Sequence, residues 1–101
     1  MLFRSKGGAD LFVLGVTNQR YYDGDGSTGL GWITDFLSNQ DKIQLKGVAS
    51  DYTLNPGRYS GVNGVFISVV SSGDRIGFIE GMRTTGIDPL NLANPNQFIY
   101  L

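Results

Sequence analysis

Polar and apolar residues alternate through Lys42-Ile43-Gln44-Leu45-Lys46, with Ile43 and Leu45 on one face and the polar side chains on the other. That period of two predicts a half-buried β-strand. An apolar run just upstream, Trp32 to Leu37, predicts a second strand joined to the first by a polar turn. Leu11-Phe12-Val13-Leu14 lies between Gly7-Gly8-Ala9-Asp10 and Gly15 and predicts a buried strand entered through a tight glycine turn. Gln19 to Tyr22 suggests another short strand. Asp23-Gly24-Asp25-Gly26-Ser27-Thr28-Gly29 is a loop, because glycine interleaved with Asp and Ser holds no regular element.

Further along, Asp51 to Leu54 predicts a strand stopped by Asn55-Pro56-Gly57. The strongest hairpin signal is Gly64 to Val70 returning as Arg75 to Gly81 around Ser71-Ser72-Gly73-Asp74. In its first strand Val65, Ile67 and Val69 share one face while Phe66, Ser68 and Val70 share the other, the pattern of a strand covered on both sides. Asp88-Pro89 before Leu90-Asn91-Leu92-Ala93-Asn94 sets a capping residue ahead of proline and predicts one short helical turn. The apolar ending Phe98-Ile99-Tyr100-Leu101 predicts a docked strand rather than a free tail.

Composition narrows the class. The 101 residues suit a single domain with one modest core. Fifteen glycines, 12% aromatic residues and many β-branched side chains fit an all-β chain rich in turns. A formal charge of −1 argues against a nucleic-acid partner, which calls for a basic excess or a clustered basic face. The chain has no cysteine and no histidine, which removes disulfides, the usual zinc sites and histidine-based acid–base chemistry. No apolar run reaches the ~20 residues of a membrane-spanning helix, so membrane insertion is not expected. Met1 to Lys6 lacks the apolar core of a cleaved signal peptide.

Gly7-Gly8-Ala9-Asp10-Leu11-Phe12-Val13-Leu14-Gly15 resembles the last turn of the calcium-binding nonapeptide arrays of RTX (repeats-in-toxin, haemolysin-type) proteins, G-G-x-G-x-D-x-U-x with U a large apolar residue. Gly8, Asp10 and Phe12 match its fourth, sixth and eighth positions, while Ser5 and Lys6 stand where the opening glycine pair belongs. Ile33-Thr34-Asp35-Phe36 followed by Asp41-Lys42-Ile43-Gln44-Leu45 is similar to the I-x-D-F…D-x-I-x-L segment that follows such arrays in serralysin-like and cyanobacterial proteins. Ile76 to Gly81 and Phe98 to Leu101 also look like that family's ending. The resemblance implies a parallel β-roll that holds calcium between consecutive turns, with a C-terminal region that caps the roll and, in bacterial type 1 secretion substrates, carries an uncleaved export signal. It therefore implies a secreted or cell-surface protein. Residues 6–15 would be the remnant of a roll repeat and residues 16–101 the capping module. The partners implied are a preceding calcium roll and a type 1 exporter, with the export signal at Phe98, Ile99, Tyr100 and Leu101.

Candidate chemistry is sparse. Asp10 is a candidate calcium ligand through its hard carboxylate, with carbonyls around Gly8 beside it, although an Asp there also forms turns unaided. Asp23 and Asp25 open a D-x-D-x-S loop, a second candidate calcium site. Thr28 and Thr34 stand where an EF-hand needs its glycine and bidentate glutamate, so only a looser site or a solvated loop is left. Asp35 and Asp41 suggest a carboxylate pair, but nothing supplies the further groups that catalysis requires, and the expectation is no enzymatic activity. Trp32, Tyr21, Tyr22, Tyr52 and Tyr59 are candidates for an aromatic carbohydrate-binding face, weighed against core and strand-pairing roles. Arg58, Arg75 and Arg83 are too scattered for a phosphate site.

The expected fold is all-β, a small irregular β-sandwich or capped β-roll with one short helical turn near the C-terminus. The expected function is a non-enzymatic capping module of an RTX-type calcium-binding protein. The alternative is a stand-alone calcium- or carbohydrate-binding module.

Overall fold

A computed structural model of the chain describes residues 2–4, 10–17, 19–20, 30–37, 40–86 and 89–101. Its strands are β1 (Leu2–Arg4), β2 (Leu11–Val13), β3 (Gly15–Val16), β4 (Gln19–Arg20), β5 (Gly31–Thr34), β6 (Lys42–Leu45), β7 (Tyr52–Tyr59), β8 (Val62–Val69), β9 (Arg75–Glu80) and β10 (Phe98–Tyr100). A 5-stranded sheet has the order β1-β5-β9-β8-β7 and a 3-stranded sheet the order β10-β6-β2, with β3 and β4 forming a small antiparallel ribbon. The protein is all-β, as its glycine, aromatic and β-branched content predicts.

The chain alternates between the two larger sheets. β1 is followed by β2, β5 by β6 and β9 by β10, so each pair contributes one strand to each sheet. Within the larger sheet β1, β5 and β9 are parallel neighbours, and within the smaller sheet β2, β6 and β10 are. The result is three stacked coils of a two-sheet roll. β3–β4 separates the first coil from the second, and β7–β8 the second from the third. The β7–β8 hairpin joins the larger sheet through antiparallel β8–β9 pairing and extends it past the third coil.

The expected hairpin is β8–β9, with a register shift at Ile67/Ser68. β8 is buried on both faces, from Gly64 to Val69. Val65, Ile67 and Val69 face the main core between the sheets, together with Phe12, Leu14, Ile33, Ile43, Leu45, Ile79 and Phe98. Phe66 joins Phe78 and Leu30 in a second cluster, against which Trp32 and Tyr59 pack. In the smaller sheet Phe12, Ile43 and Phe98 stand in register across the three coils and are all buried.

Two boundaries differ from the sequence reading. The strand expected to stop at Asn55-Pro56-Gly57 continues to Tyr59, because β7 is an edge strand and a proline there costs no ladder hydrogen bond. The run from Trp32 ends at Thr34, where Asp35 turns the backbone to φ 59°. The 3-10 turn lies at Ala49–Asp51, with Asp51 Oδ2 accepting the Val48 N–H at 3.1 Å. Residue 88 lies outside the described residues. The described part of the expected C-terminal helical turn forms separate turns instead. The Asn91 and Asn94 side chains accept the N–H groups of Ala93 and Asn96, at 3.0 and 2.9 Å. Such local bonds compete with helix formation. Among the described residues no helix is long and apolar enough to cross a membrane.

Gly64 shows how tightly the hairpin is fitted. A Cβ at this position would lie 2.6 Å from the Phe78 ring and 2.5 Å from the Ile79 carbonyl oxygen. Gly64→Ala is expected to destabilise the fold by about 1–3 kcal/mol, the usual cost of overpacking. Urea unfolding checks this, with a lower midpoint and an unchanged slope as the expected result.

Candidate functional site

The two sheets present edges at the same end of the roll. β1 and β2, which form the first coil, each lie at the border of their sheet, with β5 and β6 as their respective neighbours. At the opposite end β8 and β7 cover the outer side of β9 in the larger sheet, while β10 lies at the border of the smaller one.

The first coil is fastened to the second at one corner. Asp41 is wholly buried immediately before β6. Its Oδ1 accepts the Asp10 N–H at 3.0 Å and its Oδ2 accepts the Leu37 N–H at 2.9 Å. The Asp41 N–H donates to the Leu37 carbonyl at 2.7 Å, which closes the turn from β5. The parallel ladder then begins. Lys42 N–H donates to Asp10 O at 2.9 Å, and Leu14 N–H donates to Gln44 O at 2.9 Å. Both backbone groups of Asp10 are therefore held by the second coil. The Gln44 side chain adds a bond from its Nε2 to Gly15 O at 2.8 Å.

Asp10 is half-buried and precedes β2 as Asp41 precedes β6, with Leu11 in register with Lys42. Gly8, Asp23 and Asp25, the other candidate calcium ligands, lie outside the described residues, as do Tyr21 and Tyr22. Among the described residues no group of three or more His, Cys, Asp or Glu side chains could hold a metal ion. Asp35 and Asp41 are placed differently from one another: Asp35 is exposed at the end of β5, while Asp41 accepts backbone bonds in the interior.

The candidate export residues form the last strand. Phe98 is buried, and Ile99 and Tyr100 are half-buried. Leu101 has an exposed side chain, but its N–H donates to Leu45 O at 2.9 Å and its carbonyl accepts the Gly47 N–H at 2.8 Å. The docked strand expected at the C-terminus is thus present. Gln97, buried beside it, accepts the Asn91 N–H through Oε1 at 2.8 Å and donates from Nε2 to Pro89 O at 3.1 Å.

The aromatic candidates separate. Tyr52 is in the main core, its hydroxyl donating to Lys46 O. Trp32 and Tyr59 are half-buried on the outer face of the larger sheet, edge to face with ring centroids 5.2 Å apart, and Trp32 Nε1 donates to Glu80 Oε1 at 3.1 Å. The arginines do not converge. Arg75 lies over the Phe66 ring at 4.2 Å, and Arg58 donates to Gly61 O at 3.0 Å.

The pairing of Asp10 with Asp41 escaped the sequence reading. Its signal is a shared pattern, Asp10-Leu11-Phe12-Val13-Leu14 against Asp41-Lys42-Ile43-Gln44-Leu45, in which Asp is followed by apolar residues two and four places on. No protein-family model matches the chain, and comparison with curated proteins gives no match.

Two consequences are measurable. Asp41→Ala leaves two part-buried backbone donors without their acceptor, at about 1 kcal/mol each, and is expected to lower the urea midpoint more than Asp51→Ala. Burial, and then the neighbouring Tyr52, push the Tyr100 hydroxyl up to about 12, and it donates to Leu92 O. A raised folded-state value means that the unfolded chain releases this proton first. The Tyr100 contribution is therefore complete below the ordinary tyrosine value of 10.0 and is lost as pH rises from there through about 12. Thermal unfolding as a function of pH is expected to fall across that window, and less steeply in Tyr100→Phe.

Proposed function

We propose that this chain is a non-enzymatic capping module for a parallel β-roll of the RTX type, with preceding coils stacked on β1 and β2. The observation that carries this reading is the asymmetry of the three-coil roll. At one end each sheet terminates in a parallel strand of the first coil, while the other end of the larger sheet is extended by the antiparallel β7–β8 hairpin. A roll whose last coil is left bare exposes strand edges that pair indiscriminately, and a terminal unit that changes strand direction removes that hazard.

Calcium in this reading belongs to turns between the preceding coils, with Asp10 and Gly8 at the last of them. The protein would be secreted or displayed at the cell surface. A type 1 exporter that reads Phe98 to Leu101 must do so before the chain folds, because the folded segment is paired with β6. The alternative, a stand-alone module binding calcium or carbohydrate, would use the 23–29 loop or the Trp32–Tyr59 face.

The test is a fusion of a tandem G-G-x-G-x-D-x-U-x roll ahead of Met1, followed by circular dichroism through a calcium titration. A cap that binds only the folded roll stabilises it, so the calcium midpoint is expected about threefold or more below that of the roll alone. An unchanged midpoint overturns the capping reading.

A further inference from the structure

We infer that β10, the outer border of the smaller sheet, pairs antiparallel with β10 of a second copy of this chain, about a two-fold axis at Tyr100. The inference goes beyond the capping reading and does not rest on it. Coils stacked on β1 and β2 would meet the smaller sheet at its opposite border, since its order is β10-β6-β2.

The hydrogen bonds of the last strand show which backbone groups remain. Gln97 O accepts the Ile43 N–H at 2.8 Å, Leu101 N–H donates to Leu45 O at 2.9 Å, and Leu101 O accepts the Gly47 N–H at 2.8 Å. In a parallel ladder alternate residues address one neighbour. Residues 97, 99 and 101 therefore address β6, and the backbone groups of Phe98 and Tyr100 point out of the sheet. Phe98 N–H is taken by Asn94 O at 3.0 Å, so the chain's own turn occupies the start of the border. Among the described residues Tyr100 N–H and Tyr100 O have no such backbone partner. A donor and an acceptor on one residue are self-complementary. Two antiparallel copies centred there exchange both bonds, as hydrogen-bonded pairs of an antiparallel ladder do.

The side chains agree with this axis. Ile99 of one copy stands opposite Leu101 of the other on the outer face of the joined sheet. Both are apolar, Ile99 half-buried and Leu101 47% exposed. On the inner face Tyr100 meets its own counterpart, an aromatic cross-strand pair. Residues 98–101 carry no charged side chain, so like copies do not repel along this edge. The outer strand of the larger sheet is different, because β7 carries Pro56 and Arg58, residue types that blunt an edge. An interface of one patch with itself closes at the dimer.

A border of three residues makes a weak dimer, so sedimentation equilibrium is run up to about 1 mM chain. Hydrogen exchange is measured at both ends of the concentration range. Leu101→Glu alters an exposed side chain and leaves the Leu101 backbone bonds in place. It sets a carboxylate against Ile99 of the other copy and diagonal to its own counterpart. Leu101→Met is the apolar control, and thermal unfolding of the dilute chain verifies that neither variant disturbs the fold.

The expected result is a monomer–dimer equilibrium with no larger species. Protection of the Tyr100 amide should rise with concentration, while that of Leu11 and Val13 at the other border stays unchanged. Leu101→Glu should weaken the dimer about tenfold or more, because each substitution acts twice, and Leu101→Met by less than about threefold. A chain that stays monomeric to about 1 mM overturns the inference. A dimer that Leu101→Glu leaves intact overturns it too, as does protection appearing at Leu11 and Val13, which marks the first-coil border instead. Growth into larger species overturns the two-fold axis in favour of open-ended pairing. The capping reading stands or falls separately, on the calcium midpoint of the roll fusion.

Discussion

The fold depends on one buried carboxylate. Asp41 is removed from solvent, and a charge in that position is tolerated only where hydrogen bonds replace its hydration. Two backbone N–H groups do so, one from the preceding coil and one from its own corner. With a donor facing each oxygen, an amide would turn an NH2 group against one of them, so the site calls for aspartate rather than asparagine. The third coil makes the complementary choice. Its corner offers one donor, Asn91 N–H, and one acceptor, Pro89 O, and the buried residue there is Gln97, whose amide supplies one of each. Residue type at each corner follows from the groups the backbone presents.

The position of the first coil then governs how the sheets meet. Fastening Asp10 to the second coil sets β2 in register with β6, which directs Leu14 into the core. Leu14 reaches the larger sheet where Gly31 and Gly77 are paired and no side chain intervenes. A Cβ at Gly77 would lie 2.9 Å from Leu14 Cδ1. The sheets therefore approach closely only while coil register is kept, since a slip of one residue would replace Leu14 by a neighbour of opposite facing. On the far side of the larger sheet Phe78 covers the glycine at position 64 and Phe66, its ring 4.9 Å away, covers Gly57, which keeps β8 buried on both faces. Aromatic cover of a strand glycine restores the packing that the missing side chain gives up.

Much of the fold was legible locally. Alternation located β6, continuous apolar runs located β2 and β8, and the Ser-Ser-Gly-Asp turn located the β8–β9 hairpin, because these signals depend on residues adjacent in sequence. What was not legible is the pairing of strands far apart in the chain. Nothing in Trp32-Ile33 names Leu2-Phe3 and Phe78-Ile79 as its neighbours, and parallel partners leave no turn between them to mark the match. The same limit hid the Asp10–Asp41 contact, although the repeated Asp-x-apolar-x-Leu pattern held it in view. Pro56 misled for the converse reason. Proline stops a central strand, and whether a strand is central is a property of the sheet, not of the segment.

The ends of the roll differ in a way that follows from these constraints. At the far end of the larger sheet the chain turns back on itself twice, and the outermost strand, β7, carries Pro56, a residue that blunts an edge by removing a donor. The strands at the near end, Leu2-Phe3-Arg4 and Leu11-Phe12-Val13, contain no proline and keep the parallel direction of their neighbours, as does Phe98-Ile99-Tyr100 at the far border of the smaller sheet. Beyond the third coil the two sheets therefore end differently: the larger is continued by an antiparallel hairpin with a blunted outer strand, while the smaller ends on the parallel strand β10.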